Sequence, residues 1–372
     1  MNKNTRYFNT YIFLTTFARQ LLEVFIGTFL YKMGFSLQAV LLYYVLVMGF
    51  SIIIAIPCFH MCKKHSNRLL SIIGIISLFA LQVILDTMSK KTFYLYIIAF
   101  LYALYRRAYW IARRYYTLQV VDDKKNIGKK YSIISIVNQL GTIIASYIGA
   151  LLLQYFSISI ITKISFILLG ISTFFLYKLE FKSEKNDTKL DLIESIKNIP
   201  ISSIICISCY TLQEIIKYLF PLFVIIYVKD TYTAVGLISI LTTISSLVFT
   251  YIYGRLINKK KNYLKLSVLL YVLLQALRIN TKGVILILVT ILIGFATKMY
   301  EQSFQKEHIL LSKNYELNNY NYVFETIQNL ARFIVMLSLY LFISDVKIML
   351  YITILIISLS SLITFSTKAK NN

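Results

Sequence analysis

Apolar runs of about 20 residues recur along the chain, separated by short and mostly basic polar stretches. A run of that length is what an α-helix needs to cross the hydrocarbon core of a bilayer. No water reaches the backbone there, so each N–H and C=O must be satisfied within the segment, and each run has to be helical. The segmentation predicts twelve spans, at 9–32, 36–59, 68–88, 92–120, 131–154, 158–179, 201–228, 234–257, 263–281, 283–305, 318–343 and 347–367. Composition agrees: 58% of the 372 residues are hydrophobic and 15% charged, where water-soluble domains run nearer 45–50% and about 25%. The first apolar run, Tyr7 to Tyr31, is too long for a signal peptide and lacks a small-residue cleavage site, so it reads as the first span.

Lys and Arg total 39 against 16 Asp and Glu, a formal net charge of +23. The basic residues sit in short clusters between spans, which excludes a nucleic-acid surface and fits the bias of cytoplasmic loops toward Lys and Arg. With twelve spans, 23 of them fall on the side of the termini and 8 on the other (Lys32, Lys90, Lys91, Lys163, Lys229, Arg278, Lys282, Lys347). The split predicts a multi-pass protein of the plasma membrane with both termini cytoplasmic.

The longest polar stretch, Lys178 to Asn198, separates spans six and seven, and Pro200 after it suits the start of a helix. The expected organisation is a six-helix bundle over 1–180, a cytoplasmic linker over 181–200 and a second six-helix bundle over 201–372. Internal repetition supports it. Asn138-Gln139-Leu140-Gly141 of span five aligns with Gln328-Asn329-Leu330-Ala331 of span eleven at an offset of 190. Ala39-Val40 aligns with Ala234-Val235 at 195, and Arg107 and Trp110 align with Lys298 and Glu301 at 191. The fold class is therefore all-α integral membrane, with twelve helices in two pseudo-symmetric bundles.

Twelve spans, a basic central loop and two similar halves resemble the major facilitator superfamily of secondary transporters, over essentially the whole chain. The family's Gly-x-Leu-x-Asp-Arg-x-Gly-Arg-Arg loop has a counterpart in Gly254-Arg255-Leu256-Ile257-Asn258-Lys259-Lys260-Lys261, where Asn258 replaces the acid and Lys261 the second glycine. Its first-half counterpart, Cys58-Phe59-His60-Met61-Cys62-Lys63-Lys64, keeps only the basic character. Asn126-Ile127-Gly128-Lys129-Lys130 is similar to the family's Arg-Gly-Lys loop between spans four and five. The resemblance implies a central cavity lined by the first and fourth helices of each half.

Charges at membrane depth are expensive, about 2.5–3.5 kcal/mol each on insertion scales, and mark function or pairing. Residues 103–117 concentrate four arginines, Arg106, Arg107, Arg113 and Arg114, with five aromatics that include the single tryptophan, Trp110. Span one adds Arg19 and Glu23, span seven Glu214 and Lys217, span ten Lys298 and Glu301, and span eleven Glu325 and Arg332. Eight basic residues against four acids leave this interior positive, or less so if Arg113 and Arg114 reach the cytoplasmic mouth. Arg19/Glu23, Glu214/Lys217 and Lys298/Glu301 have the i,i+3 or i,i+4 spacing of pairs on one helix face. Two readings follow: resting ion pairs that lower insertion cost, or contacts to a substrate. The substrate-binding candidates are Arg19, Glu23, Arg106, Arg107, Trp110, Glu214, Lys217, Lys298 and Glu301. Glu325, Glu23 and Glu214 are the candidates for proton coupling, with Glu325 expected to be the free carboxyl because Arg332 lies two turns away along its helix. Asn138, Gln139, Gln213, Gln328 and Asn329 are amides at the same depth. Each can bond substrate or a neighbouring helix.

Cys58-x-His60-x-Cys62-x-x-His65 crowds one helix end, unlike the separated halves of a tight zinc site. Cys206-x-x-Cys209 falls within a span, where packing is the default role. No nucleotide-binding glycine loop is present, so a self-contained ATP-driven pump is not expected, and with no catalytic cluster visible neither is an enzyme; no cofactor or metal is expected. The drug-antiporter Gly-Pro pair of span five is replaced by Ser146-Tyr147-Ile148-Gly149. The reading is a secondary active transporter of a small polar, anionic solute, coupled to protons and acting as a monomer. The alternative is a non-transporting membrane sensor, or an immunity or assembly protein, on the same scaffold.

Overall fold

A computed structural model describes residues 3–64, 67–121, 127–180, 199–253, 264–312 and 317–370. The linker over 181–198, the loop Gly254 to Lys261, Asn126 and His65 lie outside the described residues, as do the side chains of Cys62 to Lys64. All regular structure among the described residues is helical. In chain order the helices are α1 (Lys3–Glu23), α2 (Ile26–Lys32), α3 (Leu37–Lys64), α4 (Asn67–Thr87), α5 (Thr92–Val121), α6 (Ile127–Tyr155), α7 (Ile158–Tyr177), α8 (Ile201–Thr211) and α9 (Gln213–Phe223). A π-helical turn (Val224–Val228) follows, then α10 (Tyr232–Tyr253), α11 (Leu264–Asn280), α12 (Gly283–Ser312), α13 (Leu317–Phe342) and α14 (Val346–Lys370).

Helix covers each of the twelve predicted segments over the described residues, and eight are long and apolar enough to cross a membrane. The others fall short for reasons visible in their residues. Helix α5 carries four arginines, and α11 has only 17 residues. Helix α13 carries Glu325 and Arg332, and the described apolar part of α14 is Val346–Leu359. Large apolar side chains face outward, among them Phe93 at 69% exposure and Ile201 at 75%. That surface is costly in water and natural in lipid.

Two predicted spans are broken. The first is interrupted at Val24 and Phe25, directly after Glu23, where Phe25 N–H bonds Leu22 O at 2.8 Å, one residue short of the α-helical partner. Val24, Ile26, Gly27 and Thr28 are all weak helix formers, so little resists the break. The seventh is interrupted at Leu212, just before Gln213 and Glu214. Pro221, the proline of this span, sits farther along, inside α9. It lacks an N–H, and the π turn that follows it closes with Lys229 N–H on Val224 O at 2.8 Å.

The chain divides into two compact units, Met1–Asp187 with Thr231–Ile240, and Thr188–Asp230 with Leu241–Asn372. In the first, α1 packs on α6 and α7, and α5 on α3 and α4. Buried polar bonds tie these helices: Gln82 Nε2 donates to Ala18 O at 3.0 Å and Ser165 Oγ to the same carbonyl at 3.2 Å. A Cβ at Gly149 would collide with Leu21 O, so only glycine lets α6 approach α1 so closely two residues before Glu23. The start of α10 belongs to this unit. Tyr232 N–H bonds Gln154 Oε1 at 3.0 Å, and its ring meets Phe25. In the second unit α11 packs on α12 and α14, and α8 on α14 and α13. Ser246 Oγ donates to Gly294 O at 2.9 Å. Pro200 caps α8, its carbonyl accepting from Ser203 and Ile204 at 2.9 and 3.1 Å.

Candidate functional site

In the first unit a polar cluster forms where α1 ends against α5 and α6. Glu23 lies at the last residue of α1, its side chain 17% exposed. One carboxylate oxygen accepts from Gln20 Nε2 at 2.7 Å and faces Arg19 Nε at 3.3 Å. The other accepts from Tyr102 of α5 at 2.5 Å. Arg19 is buried and its guanidinium sits 5.4 Å from the Trp110 ring. Arg113 lies 4.7 Å from the same ring, so one indole serves two cations. Arg113 also donates to Asn138 Oδ1 of α6 at 2.9 Å, an oxygen that accepts from Thr16 at 2.9 Å as well. Arg106 is buried over Tyr102 at 5.8 Å. Tyr102, Tyr105 and Tyr109 stack along one face of α5 and hold this wall together. Arg107, also buried, acts electrostatically on Cys58 of α3, on another face of α5.

In the second unit Arg332 of α13 is the hub. It is buried and donates to Thr211 and Glu214, on either side of the Leu212 break, and to Gln328 Oε1 at 2.9 Å. Glu214 thus pairs between helices with Arg332, while Lys217, exposed three residues on, bears on Glu301. Lys298 Nζ meets Glu301 Oε2 at 2.9 Å, with Lys298 buried and the Glu301 side chain 34% exposed. Tyr210 stacks flat on Phe304 at 3.9 Å, one turn from Tyr300 and Glu301. Glu325 is buried and engaged in interactions, so it is not the free carboxyl expected of it.

The structure thus gathers Arg19, Glu23, Arg106 and Trp110 at one cluster, and Glu214, Lys217, Lys298 and Glu301 in the other unit. Sequence reasoning left Tyr102, Gln20 and Arg332 off the site. For Arg332 the available signal was Gln328, four residues earlier on the same face. Among the described residues no group of three or more His, Cys, Asp or Glu is placed to hold a metal.

A bundle of long apolar helices that buries arginine–carboxylate clusters is the architecture of a multi-pass membrane protein. The sequence matches the model of the Major Facilitator Superfamily over residues 9–336, and the chain belongs to that family. No curated protein sequence matches it. Solved structures share the fold. A mutant of the nucleoside transporter NupG has a TM-score of 0.75 at 13% identity, with 98% of this chain and 99% of that one covered. The POT family transporter PepTSo has a TM-score of 0.75 at 11% identity, covering 100% and 98%. A bacterial homologue of the iron transporter ferroportin, inward-facing, has a TM-score of 0.74 at 11% identity, covering 98% of each chain. The protein is a multi-pass membrane protein and a secondary transporter, not an enzyme.

Proposed function

We propose that the protein moves a small polar solute bearing negative charge across the plasma membrane, by alternating access of two six-helix halves, as a monomer with cytoplasmic termini. One observation carries the reading. Within the predicted spans, the sequences of α1 and α5 carry five arginines, Arg19, Arg106, Arg107, Arg113 and Arg114, and one acid, Glu23, and three of the five gather on the aromatic face: Arg19 and Arg113 at Trp110, Arg106 at Tyr102. A wall with such an excess of buried cations favours an anionic guest, such as an organic anion, a charged sugar derivative or a peptide carboxylate. Arginine forks suit carboxylate and phosphate groups because two parallel N–H bonds match two oxygens. Arg19 and Arg113 are held by Trp110 and Asn138 without using all their donors on acids. Glu23, Glu214 and Glu325 are the carboxyls through which protons would couple, because a carboxyl alternates between charged and neutral as an arginine approaches or leaves. The test is flux in proteoliposomes against a panel of organic anions and neutral analogues, with Trp110 emission titrated in parallel. Anion-selective flux with a saturable change in emission is the expected result. Flux of cationic or neutral solutes alone would refute the anion reading, and binding without flux would refute transport.

A further inference from the structure

We propose that the seam between α11 and α14 binds one acyl chain of an anionic phospholipid taken from the surrounding bilayer, its headgroup held by Lys282 and Lys347. A cavity of about 360 Å³ opens on this seam, lined by Val272 of α11 and by Tyr351, Ile352, Ile354, Leu355 and Ser358 of α14. The lining is apolar apart from two hydroxyls, and Leu355 is 57% exposed beside it, so the groove opens outward rather than into the unit. One end is closed by Tyr351, whose hydroxyl donates to Asn280 Oδ1 at 2.5 Å.

Helical spacing places charge at that end. Lys347, Tyr351, Leu355 and Ser358 fall on one face of α14, so Lys347 stands one turn beyond the closed end. Lys282 follows Asn280 by two residues and is exposed. Arg278, at the same end of α11, is buried over the Phe220 ring at 3.5 Å and so takes no part in the groove. An acid at this end, Asp345, accepts from Tyr227, caps α14 through Ile348 N–H at 3.0 Å and feels the charge of Lys347 two residues on. Two lysines, Lys282 exposed and Lys347 partly so, therefore stand with one carboxylate above an apolar groove, an excess of positive charge that an anionic headgroup with its chain would complement.

The chain alone confers little selectivity, since bulk lipid offers it equally apolar surroundings. The lysines supply the preference, about fivefold each near a membrane surface and about 25-fold together. The experiment is thermal unfolding of the purified full-length protein in detergent, titrated with phosphatidylglycerol, phosphatidylcholine or glycerol phosphate. Phosphatidylglycerol is expected to stabilise at about 25-fold lower concentration than phosphatidylcholine, and glycerol phosphate not at all. Lys282→Gln with Lys347→Gln should erase the difference between the lipids. Ser358→Phe, which fills the groove, should erase the phosphatidylglycerol effect. Leu355→Trp repeats that test if Ser358→Phe unfolds the unliganded protein. Equal action of the two lipids, survival of the effect in the variants, or stabilisation by glycerol phosphate would each overturn the proposal.

Discussion

Replacing Glu23 by Gln isolates the energy of the first-unit cluster. The substitution keeps shape and one acceptor oxygen and removes the charge that answers Arg19. Arg19 is 6% exposed, so water cannot take over. Deleting one partner of a buried ion pair costs about 3–5 kcal/mol, because the survivor is left charged and desolvated. Two features reduce that here. Glu23 is itself partly accessible, and the Trp110 ring at 5.4 Å still faces the guanidinium, a contact of about 1 kcal/mol. The expected loss is about 2–4 kcal/mol of unfolding free energy. Adding Arg19→Gln should restore part of it, giving a coupling energy of about 1–3 kcal/mol in a double-mutant cycle. The assay is denaturant unfolding in detergent read by tryptophan emission. The chain has one tryptophan and it sits beside Arg19 and Arg113, so the signal reports this cluster directly. A Glu23→Gln protein as stable as its parent, with unchanged emission, would refute the reasoning.

In the second unit, Lys298→Gln should weaken binding of the transported anion while expression and melting stay close to the parent, since Glu301 is 34% exposed and Lys217 still bears on it; isothermal titration against melting curves reads both. Asp345 lies outside the spans, and the hydrogen bond from Tyr227 holds its carboxyl below the usual carboxylate value. A depressed folded value means the stabilisation is fully present above the ordinary pKa of about 3.9 and is lost as pH falls through the lower folded value. Asp345→Asn should therefore flatten the acid side of a stability–pH profile and leave the neutral side lower. For topology, cysteines introduced at 187 and 370 should escape labelling from outside while one at 230 reacts; the reverse pattern would overturn cytoplasmic termini.

What the sequence made legible follows from how local each feature is. Helix positions were readable because bilayer thickness fixes run length. The pairs Arg19/Glu23 and Lys298/Glu301 were readable because four and three residues place both groups on one helix face. The Arg332 pairing with Glu214 was not, since it depends on how α13 meets the α8–α9 break. Nor was that break: the span's proline, Pro221, lies nine residues farther along, and the interruption at Leu212 has no proline or glycine beside it. The grouping of Thr231–Ile240 with the first unit was hidden too, because it rests on close approaches such as Gly236 to Ala150 rather than on any change of composition.

Glu23 and Glu214 are separated by 191 residues, the offset that also relates Arg107 to Lys298. Each stands beside a break in the first span of its half, and each is held by an arginine, but the arginines come from different places. Arg19 is on the same helix as Glu23, so a side-chain rotation is enough to separate them. Arg332 reaches Glu214 from α13, and also grips Thr211 across the Leu212 break. Parting α9 from α13 would therefore release Glu214, a link to helix displacement that the Arg19/Glu23 pair within α1 does not have. If protons couple to transport, Glu214 is the carboxyl whose protonation is tied to helix movement, and Glu23 the one that answers to occupancy of the cluster. Glu214→Gln should then uncouple transport from the proton gradient while counterflow exchange continues, and Glu23→Gln should weaken substrate affinity first. Concentrative flux that survives Glu214→Gln at the parent rate would contradict this division of roles.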